Sequence, residues 1–226
     1  MSWFEIQNPK RFYDEMQEIK SMLLNKIIPD VYPYNISGFF PCNSQIYVNR
    51  YHFINISAFA LISKVWLKPL AEYIGTGKCL EIMAGRGILS KGLSDYGVDI
   101  IATDNFSWEW RRGKEQDRTK LESYDLWFEV ENLDCIDAIE KYGSQVSYIL
   151  CSWPYMDTCM YRSLVKMREI NPECKLIYIG EGNGGCTADD EFFSTVKFIE
   201  EGGLFNQAAS KFQSWWGIYD ELRIAM

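Results

Sequence analysis

Histidine is nearly absent: His52 is the only one in 226 residues. A single imidazole excludes a histidine-rich metal set and leaves one base for any serine–histidine–aspartate relay. Its neighbours Tyr51 and Phe53 suit a packing residue better than a catalyst. No CxxC spacing occurs either. The seven cysteines, at 42, 79, 135, 151, 159, 174 and 186, are an odd number, mostly inside apolar stretches. Free buried thiols in a reducing compartment fit that usage better than a disulfide framework. No run approaches the about 18 apolar residues of a membrane span. The longest candidate, Phe53 to Leu67, is broken by Asn55, Ser57, Ser63 and Lys64. The start, from Met1 to Lys10, has no basic region leading into an apolar one, so no signal peptide and a cytoplasmic location are expected. Basic residues are in deficit, 23 against 31 acidic, for a net charge of −8. That balance argues against tight nonspecific binding to a phosphate backbone.

Apolar residues make up 47% and charged residues 24%, the proportions of a globular chain with a sizeable core. The organisation is uneven. Residues 1–75 read as a helical and aromatic N-terminal extension belonging to the same unit as residues 76–226. Asn8-Pro9 predicts a helix start, and Phe12, Met16, Ile19, Leu23 and Ile27 form one apolar stripe stopping at Pro29. The aromatic, proline-bearing stretch from Pro29 to Arg50 predicts an ordered, irregular, extended segment. A second amphipathic helix is carried by Ile56, Phe59, Ala60, Trp66 and Leu70.

From Lys78 onward short apolar runs alternate with helix-length segments. Strands are predicted over Cys79–Met83, Val98–Thr103, Trp127–Val130, Val146–Cys151 and Leu176–Ile179. Helices are predicted over Ile88–Tyr96, Cys135–Tyr142, Thr158–Ile170 and Ala188–Glu201, with Gly97, Gly143 and Gly202 as C-terminal caps. Thr187 and Asp190 form a capping pair for the last helix. Phe212–Ile218 and Asp220–Ala225 read as two closing strands. Alternation of this kind predicts an α/β fold: a doubly wound, mostly parallel, seven-stranded Rossmann-like sheet with an N-terminal helical extension. Ligands of such sheets bind beyond the carboxyl ends of the strands.

The first such loop reads Glu81-Ile82-Met83-Ala84-Gly85-Arg86-Gly87. Two glycines between a strand and a helix let the backbone turn sharply and approach a ligand. Asp104 closes the second strand 19 residues past Gly85, placed to accept hydrogen bonds from both hydroxyls of a ribose. A nicotinamide dinucleotide site would require a third glycine at position 90, where the chain has Ser90. It would also disfavour an acid at Glu81 beside a pyrophosphate.

Here the chain resembles the class I S-adenosylmethionine-dependent methyltransferases over about residues 78–226. Their first motif runs acid-x-Gly-x-Gly-x-Gly. Glu81, Gly85 and Gly87 match its acid and its last two glycines, and Met83 stands at the first. The resemblance implies that Glu81, Met83, Ala84, Gly85 and Gly87 hold the aminoacyl end of S-adenosylmethionine. It further implies that Asp104 holds the ribose, that Asn105 beside it also binds the cofactor and that Asp134 contacts the adenine amino group. Asp134 also reads as the cap of the helix that follows it. Ser152, Pro154 and Tyr155 resemble three of four positions of the (Asn/Asp/Ser)-Pro-Pro-(Tyr/Phe) motif of adenine and cytosine amino methyltransferases, with Trp153 at the first proline.

Ser152, Tyr155, Asp157 and Glu181 are the candidates to take a proton from an acceptor. Trp108 to Lys114 interleaves aromatic and basic residues, and Gly180 to Gly185 is a glycine-rich loop that suits an anion nest, a flap or a plain connection. The function expected is methyl transfer from S-adenosylmethionine to a small or planar acceptor, without a metal. The N-terminal helices and the Pro29 to Arg50 segment would cap the donor and shape the acceptor pocket. Alternatives are a partner-binding module without chemistry, an amino methyltransferase acting on nucleic acid and, less favoured, a nicotinamide oxidoreductase.

Overall fold

The computed structural model describes residues 9–33, 36, 43–107 and 126–226. The Trp108 to Lys114 stretch and parts of the Pro29 to Arg50 segment lie outside them. The N-terminal helices are α1 (Pro9–Leu24), α2 (Asn43–Ile56) and α3 (Lys64–Ile74). Phe12, Met16, Ile19 and Leu23 are all buried, as their spacing requires, but the stripe ends there. Lys26 turns left-handed and leaves Ile27 half exposed. The backbone is helical from Asn43, so the extended reading fails over residues 43–50.

The predicted second helix is two helices with a break at residues 57–63. Tertiary contacts hold that break open. The Ser57 hydroxyl donates to the Phe53 carbonyl (2.7 Å), ending α2. Ser63 makes no side-chain cap on α3. The first α3 amides, of Lys64 and Val65, donate instead to the carbonyls of Pro29 and Asp30 at 2.9 Å each. Trp66, fully buried, donates its indole N–H to the Leu61 carbonyl (3.0 Å) and stacks edge-on against Phe212.

The sheet comprises β1 (Cys79–Glu81), β2 (Ile100–Asp104), β3 (Val130–Asn132), β4 (Tyr148–Ser152), β5 (Lys175–Gly180), β6 (Phe198–Ile199) and β7 (Glu221–Ala225). Its order is β3-β2-β1-β4-β5-β7-β6, parallel from β3 to β5, with β7 antiparallel to both its neighbours. Between the strands run α4 (Ile88–Ser94), α5 (Cys135–Tyr142), α6 (Cys159–Ile170), α7 (Asp190–Thr195) and α8 (Gly203–Lys211). The fold is therefore the doubly wound α/β architecture that the alternation predicted.

Strand periodicity divides the core. Leu150, Ile177, Ile179, Leu222 and Ile224 face one layer, which includes residues of α1, α3, α4 and α8. Ile149, Cys151, Leu176, Tyr178 and Ala225 face the other, with α5, α6 and α7. The N-terminal helices share the first layer: Met16 and Leu23 belong to the same cluster as Leu150 and Ile177. No helix among the described residues is long and apolar enough to cross a membrane.

Several local expectations fail, each for a tertiary reason. Phe212 to Ile218 is not a strand. Gln213 instead exchanges two hydrogen bonds of 3.0 Å with the backbone of Tyr32, its amide taking the place of a strand partner. Phe198–Ile199, expected to be helical, pairs with β7, and the helix before it is reduced to Asp190–Thr195. Asp189 caps that helix by accepting from the Phe192 amide (2.9 Å), while Thr187 bonds to Tyr178 and to the Glu181 carbonyl. Gly202 opens α8 rather than closing a helix, whereas Gly143 does cap α5, its amide donating to the Ile139 carbonyl, and in a right-handed conformation it also starts a short 3-10 turn. Trp127 lies outside β3: its amide donates to the Arg86 carbonyl and its indole to the Ile56 carbonyl. His52 is exposed on α2, not packed.

Candidate functional site

Strand order reverses between β1 and β4, and a cavity of about 330 Å³ opens at the carboxyl ends of β1, β2 and β4. That size falls within the about 300–1,000 Å³ typical of small-molecule sites. Glu81, Met83, Ala84 and Gly85 line it from the first loop, and Asp104, Asn105 and Asp134 from the next two. Ser152, Tyr155 and Asp157 line it from the loop after β4. Gly87 and Glu181 are not among its lining residues.

The first loop alternates backbone hands. Met83 (φ 53°), Gly85 (φ 57°) and Gly87 (φ 74°) are left-handed, and that reversal ends β1 at Glu81, two residues before the predicted end. For Met83 this conformation costs about 1–2 kcal/mol, which glycine would avoid. A Cβ on Gly85 would meet nothing, so the backbone angle and not crowding calls for glycine there. Gly87 answers a different need. A Cβ there would lie 2.9 Å from both Phe128 and Val130, so it packs the loop against the β3 side.

Glu81 is 1% exposed and acts as a distant cap for α4. Gly87 offers no side chain, so the amide and the hydroxyl of Ser90 both donate to Oε2 of Glu81. Burial pushes the Glu81 carboxyl up to about 8, with the Asp104 charge adding to the rise and the Ser90 bonds opposing it.

Asp104 ties two loops together. Its Oδ2 accepts from the Gly85 amide (2.7 Å) and its Oδ1 from the Phe106 amide (2.6 Å). Phe106 is left-handed too, so strained non-glycine residues follow both β1 and β2. Asp134 does two things. Its Oδ1 accepts from the Ile136 amide as the cap of α5, while its Oδ2 accepts from the Asn105 side chain (3.1 Å) in the cavity wall.

Trp153, with φ 56°, is a left-handed non-glycine residue following β4, as Met83 and Phe106 follow β1 and β2. Its amide donates to the Ile179 carbonyl (2.7 Å) and its indole to buried Asp220 (2.9 Å). Phe59 stacks on it at 5.3 Å and 16°, and the Arg50 guanidinium lies 5.4 Å from its ring centre. Proline has no N–H and holds φ near −65°, so it can neither make that bond nor adopt that angle. The resemblance to a double-proline amino methyltransferase motif therefore stops at the letters. Trp153→Pro is expected to lower stability by about 2–4 kcal/mol from the lost bond and the forced backbone. A urea midpoint equal to that of the wild type would show that this loop does not depend on Trp153.

Glu181 is already engaged. Its Oε2 accepts from the Cys186 amide (2.7 Å) and its Oε1 from the Tyr219 amide (3.0 Å). Burial pushes its carboxyl up, but these amides and Arg50 outweigh burial and hold it below the usual range. A Cβ on Gly185 would lie 2.5 Å from that of Glu181, so the glycine-rich loop closes around its own carboxylate. Glu181 staples this loop to the chain before β7 and is not among the residues lining the cavity. Asp157 keeps its place in the cavity while its Oδ1 accepts from the Cys159 amide (2.9 Å) at the start of α6.

Part of the wall has no local signature in the sequence. Ile54 near the end of α2 and Ser57, Ala58, Phe59 and Ile62 in the break between α2 and α3 reach the cavity, from within the N-terminal helical region expected to cap it. Cys135 and Cys159 also line it. Among the described residues no group of three or more histidine, cysteine or acidic side chains is arranged to hold a metal.

No protein-family model and no curated protein matches the chain. Solved structures do align with it. TehB from Haemophilus influenzae aligns at 15% identity, TM-score 0.40, over 77% of this chain and 65% of its own. The chain thus spans slightly less than two thirds of that protein. Magnesium protoporphyrin IX methyltransferase (ChlM) from Synechocystis PCC 6803, with bound SAM, aligns at 11% identity, TM-score 0.43, over 94% of this chain and 96% of its own. Human N-acetylserotonin methyltransferase, in complex with SAM, aligns at 10% identity, TM-score 0.42, over 96% and 68%.

Proposed function

We propose that this chain transfers a methyl group from S-adenosylmethionine to a small or planar acceptor. The observation that carries the reading is the 2.7 Å bond between the Gly85 amide and Asp104 at the switch point of the sheet. It joins the glycine turn and the second-strand acid in one cavity wall, beside Asp134 and opposite the aromatic loop after β4. A carboxylate offers about four lone-pair sites, so Asp104 can serve two amides and still accept from two ribose hydroxyls.

The donor set fits the group. Asp104 would hold the ribose, Asn105 and Asp134 the adenine edge, and the Met83 to Gly85 backbone the aminoacyl end. Glu81 supports that turn through Ser90. S-adenosylmethionine supplies an activated methyl on a sulfonium, so the protein's own contribution is in-line placement and exclusion of water. Tyr155 and the stacked Trp153 and Phe59 supply an apolar, flat-sided wall for the acceptor. Ser152 and Asp157, both in the cavity, stand as proton acceptors on that side.

S-adenosylhomocysteine tests the reading. At a hundredfold excess over its Kd it should stabilise the fold by about 2.7 kcal/mol, raising the melting temperature by about 5–10 °C. An unchanged melting curve at millimolar ligand would sink the proposal, and a shift with NAD alone would replace it with a dinucleotide site.

A further inference from the structure

At neutral pH S-adenosylmethionine carries a sulfonium, an ammonium and a carboxylate. The cavity wall holds acidic side chains on Glu81, Asp104, Asp134 and Asp157. These suit hydroxyls, an amino group and the two cationic centres. A carboxylate brought among them is repelled unless a fixed cation or a set of N–H donors receives it.

The backbone of the first loop has few donors left to offer. The Ala84 amide donates to the Thr103 carbonyl (3.0 Å), the Gly85 amide to Asp104 (2.7 Å) and the Gly87 amide to the Ala84 carbonyl (2.9 Å). The Ser90 amide donates to Glu81. These bonds build the turn and tie it to β2 and α4, so a ligand could take one only by opening the turn.

Among the described residues lining the cavity, Arg86 is the one basic side chain. It is half-buried, and its backbone is fixed on both sides. Gly85 and Gly87 flank it in left-handed conformations, and its carbonyl accepts from the Trp127 amide (2.8 Å). A guanidinium is a planar fork of N–H donors that matches both oxygens of a carboxylate. Arg86 also directly follows the Met83 to Gly85 turn. Arg50 is not among the lining residues: its guanidinium lies 5.4 Å from the Trp153 ring centre and its charge bears on Glu181.

We propose that Arg86 is the counter-ion of the donor's carboxylate, and the residue by which the site selects a donor that keeps that group. The inference rests on the methyl-donor reading and adds recognition of the acid end to it. The amino end needs no such residue, because the acids of the wall already favour a cation. Substituting the Arg86 side chain leaves the backbone bond from Trp127 in place, so the turn does not depend on the group being tested.

Calorimetric titration tests it with two probes, S-adenosylmethionine and its decarboxylated form, which lacks only the carboxylate. The wild type is expected to bind S-adenosylmethionine about 10- to 100-fold more tightly than the decarboxylated form. Arg86→Gln should lose that preference while its affinity for the decarboxylated form stays that of the wild type. Arg86→Lys keeps the charge without the fork and should retain part of the preference. A wild type that binds S-adenosylmethionine and its decarboxylated form equally would overturn the proposal without any variant. So would an undiminished preference in Arg86→Gln, or a loss of both ligands by the same factor. Those three results leave the methyl-donor reading standing, whereas a wild type that binds neither ligand overturns the reading and the proposal together.

Discussion

Replacing Asp104 by alanine is expected to weaken S-adenosylhomocysteine binding by about 30-fold or more and to lower the melting temperature as well. The binding loss follows from charge-assisted hydrogen bonds worth about 1.5–3 kcal/mol each, with every 1.4 kcal/mol counting tenfold in Kd. The stability loss has a separate origin. Asp104 is 5% exposed and accepts from the amides of Gly85 and Phe106, so alanine leaves two shielded N–H groups without their acceptor. Each such orphan costs about 1–3 kcal/mol. Asp104→Asn separates the two effects, since it keeps one acceptor oxygen for the Phe106 amide and loses the charge. Calorimetric titration gives the binding part and thermal melting the structural part. Equal affinities for the wild type and Asp104→Asn would remove the carboxylate from the ligand site, whatever happens to the melting temperature.

Glu81 should make the stability of this protein fall as the pH rises toward 8. Its carboxyl is pushed up to about 8 in the fold from 4.5 in the open chain, chiefly by burial. Between those values the folded protein keeps a proton that the unfolded chain has released. The group's stabilising contribution is therefore complete below 4.5 and is lost as the pH climbs through the folded value. The slope across that window is about 1.4 kcal/mol per pH unit. Glu81→Gln carries a neutral group of the same shape that still accepts from Ser90, so it should lack this slope. Urea unfolding of both proteins between about pH 5 and about pH 8 checks the expectation. The variant should gain on the wild type steadily with pH, and parallel stability curves would show that Glu81 stays ionised in its pocket.

The sequence by itself determined the architecture and the first half of the site. Alternating apolar runs and helix-length segments predict a parallel sheet, because a strand buried on both faces needs continuous apolar residues and a helix on each side. The carboxyl ends of β1 and β2 were legible for the same reason. A glycine turn after a strand and an acid ending the next strand are local features, and parallel pairing then brings Gly85 and Asp104 together. Asp134 was legible as a cap from its position before α5, and as a site residue only through the family resemblance.

Only the tertiary structure decided the rest. Local periodicity cannot see that the carbonyls of Pro29 and Asp30 cap α3, so the break that carries Phe59 into the cavity had no signal. The identity of Trp153 does not announce a left-handed backbone. The Ile179 carbonyl on β5 and the Asp220 carboxylate before β7 impose it from distant parts of the chain. Glu181 had the sequence position of a possible base or substrate contact, and the amides of Cys186 and Tyr219 engage its carboxylate. Each of these outcomes rests on a contact between residues distant in sequence, and the energy of such a contact belongs to the folded arrangement and not to any local stretch of the chain.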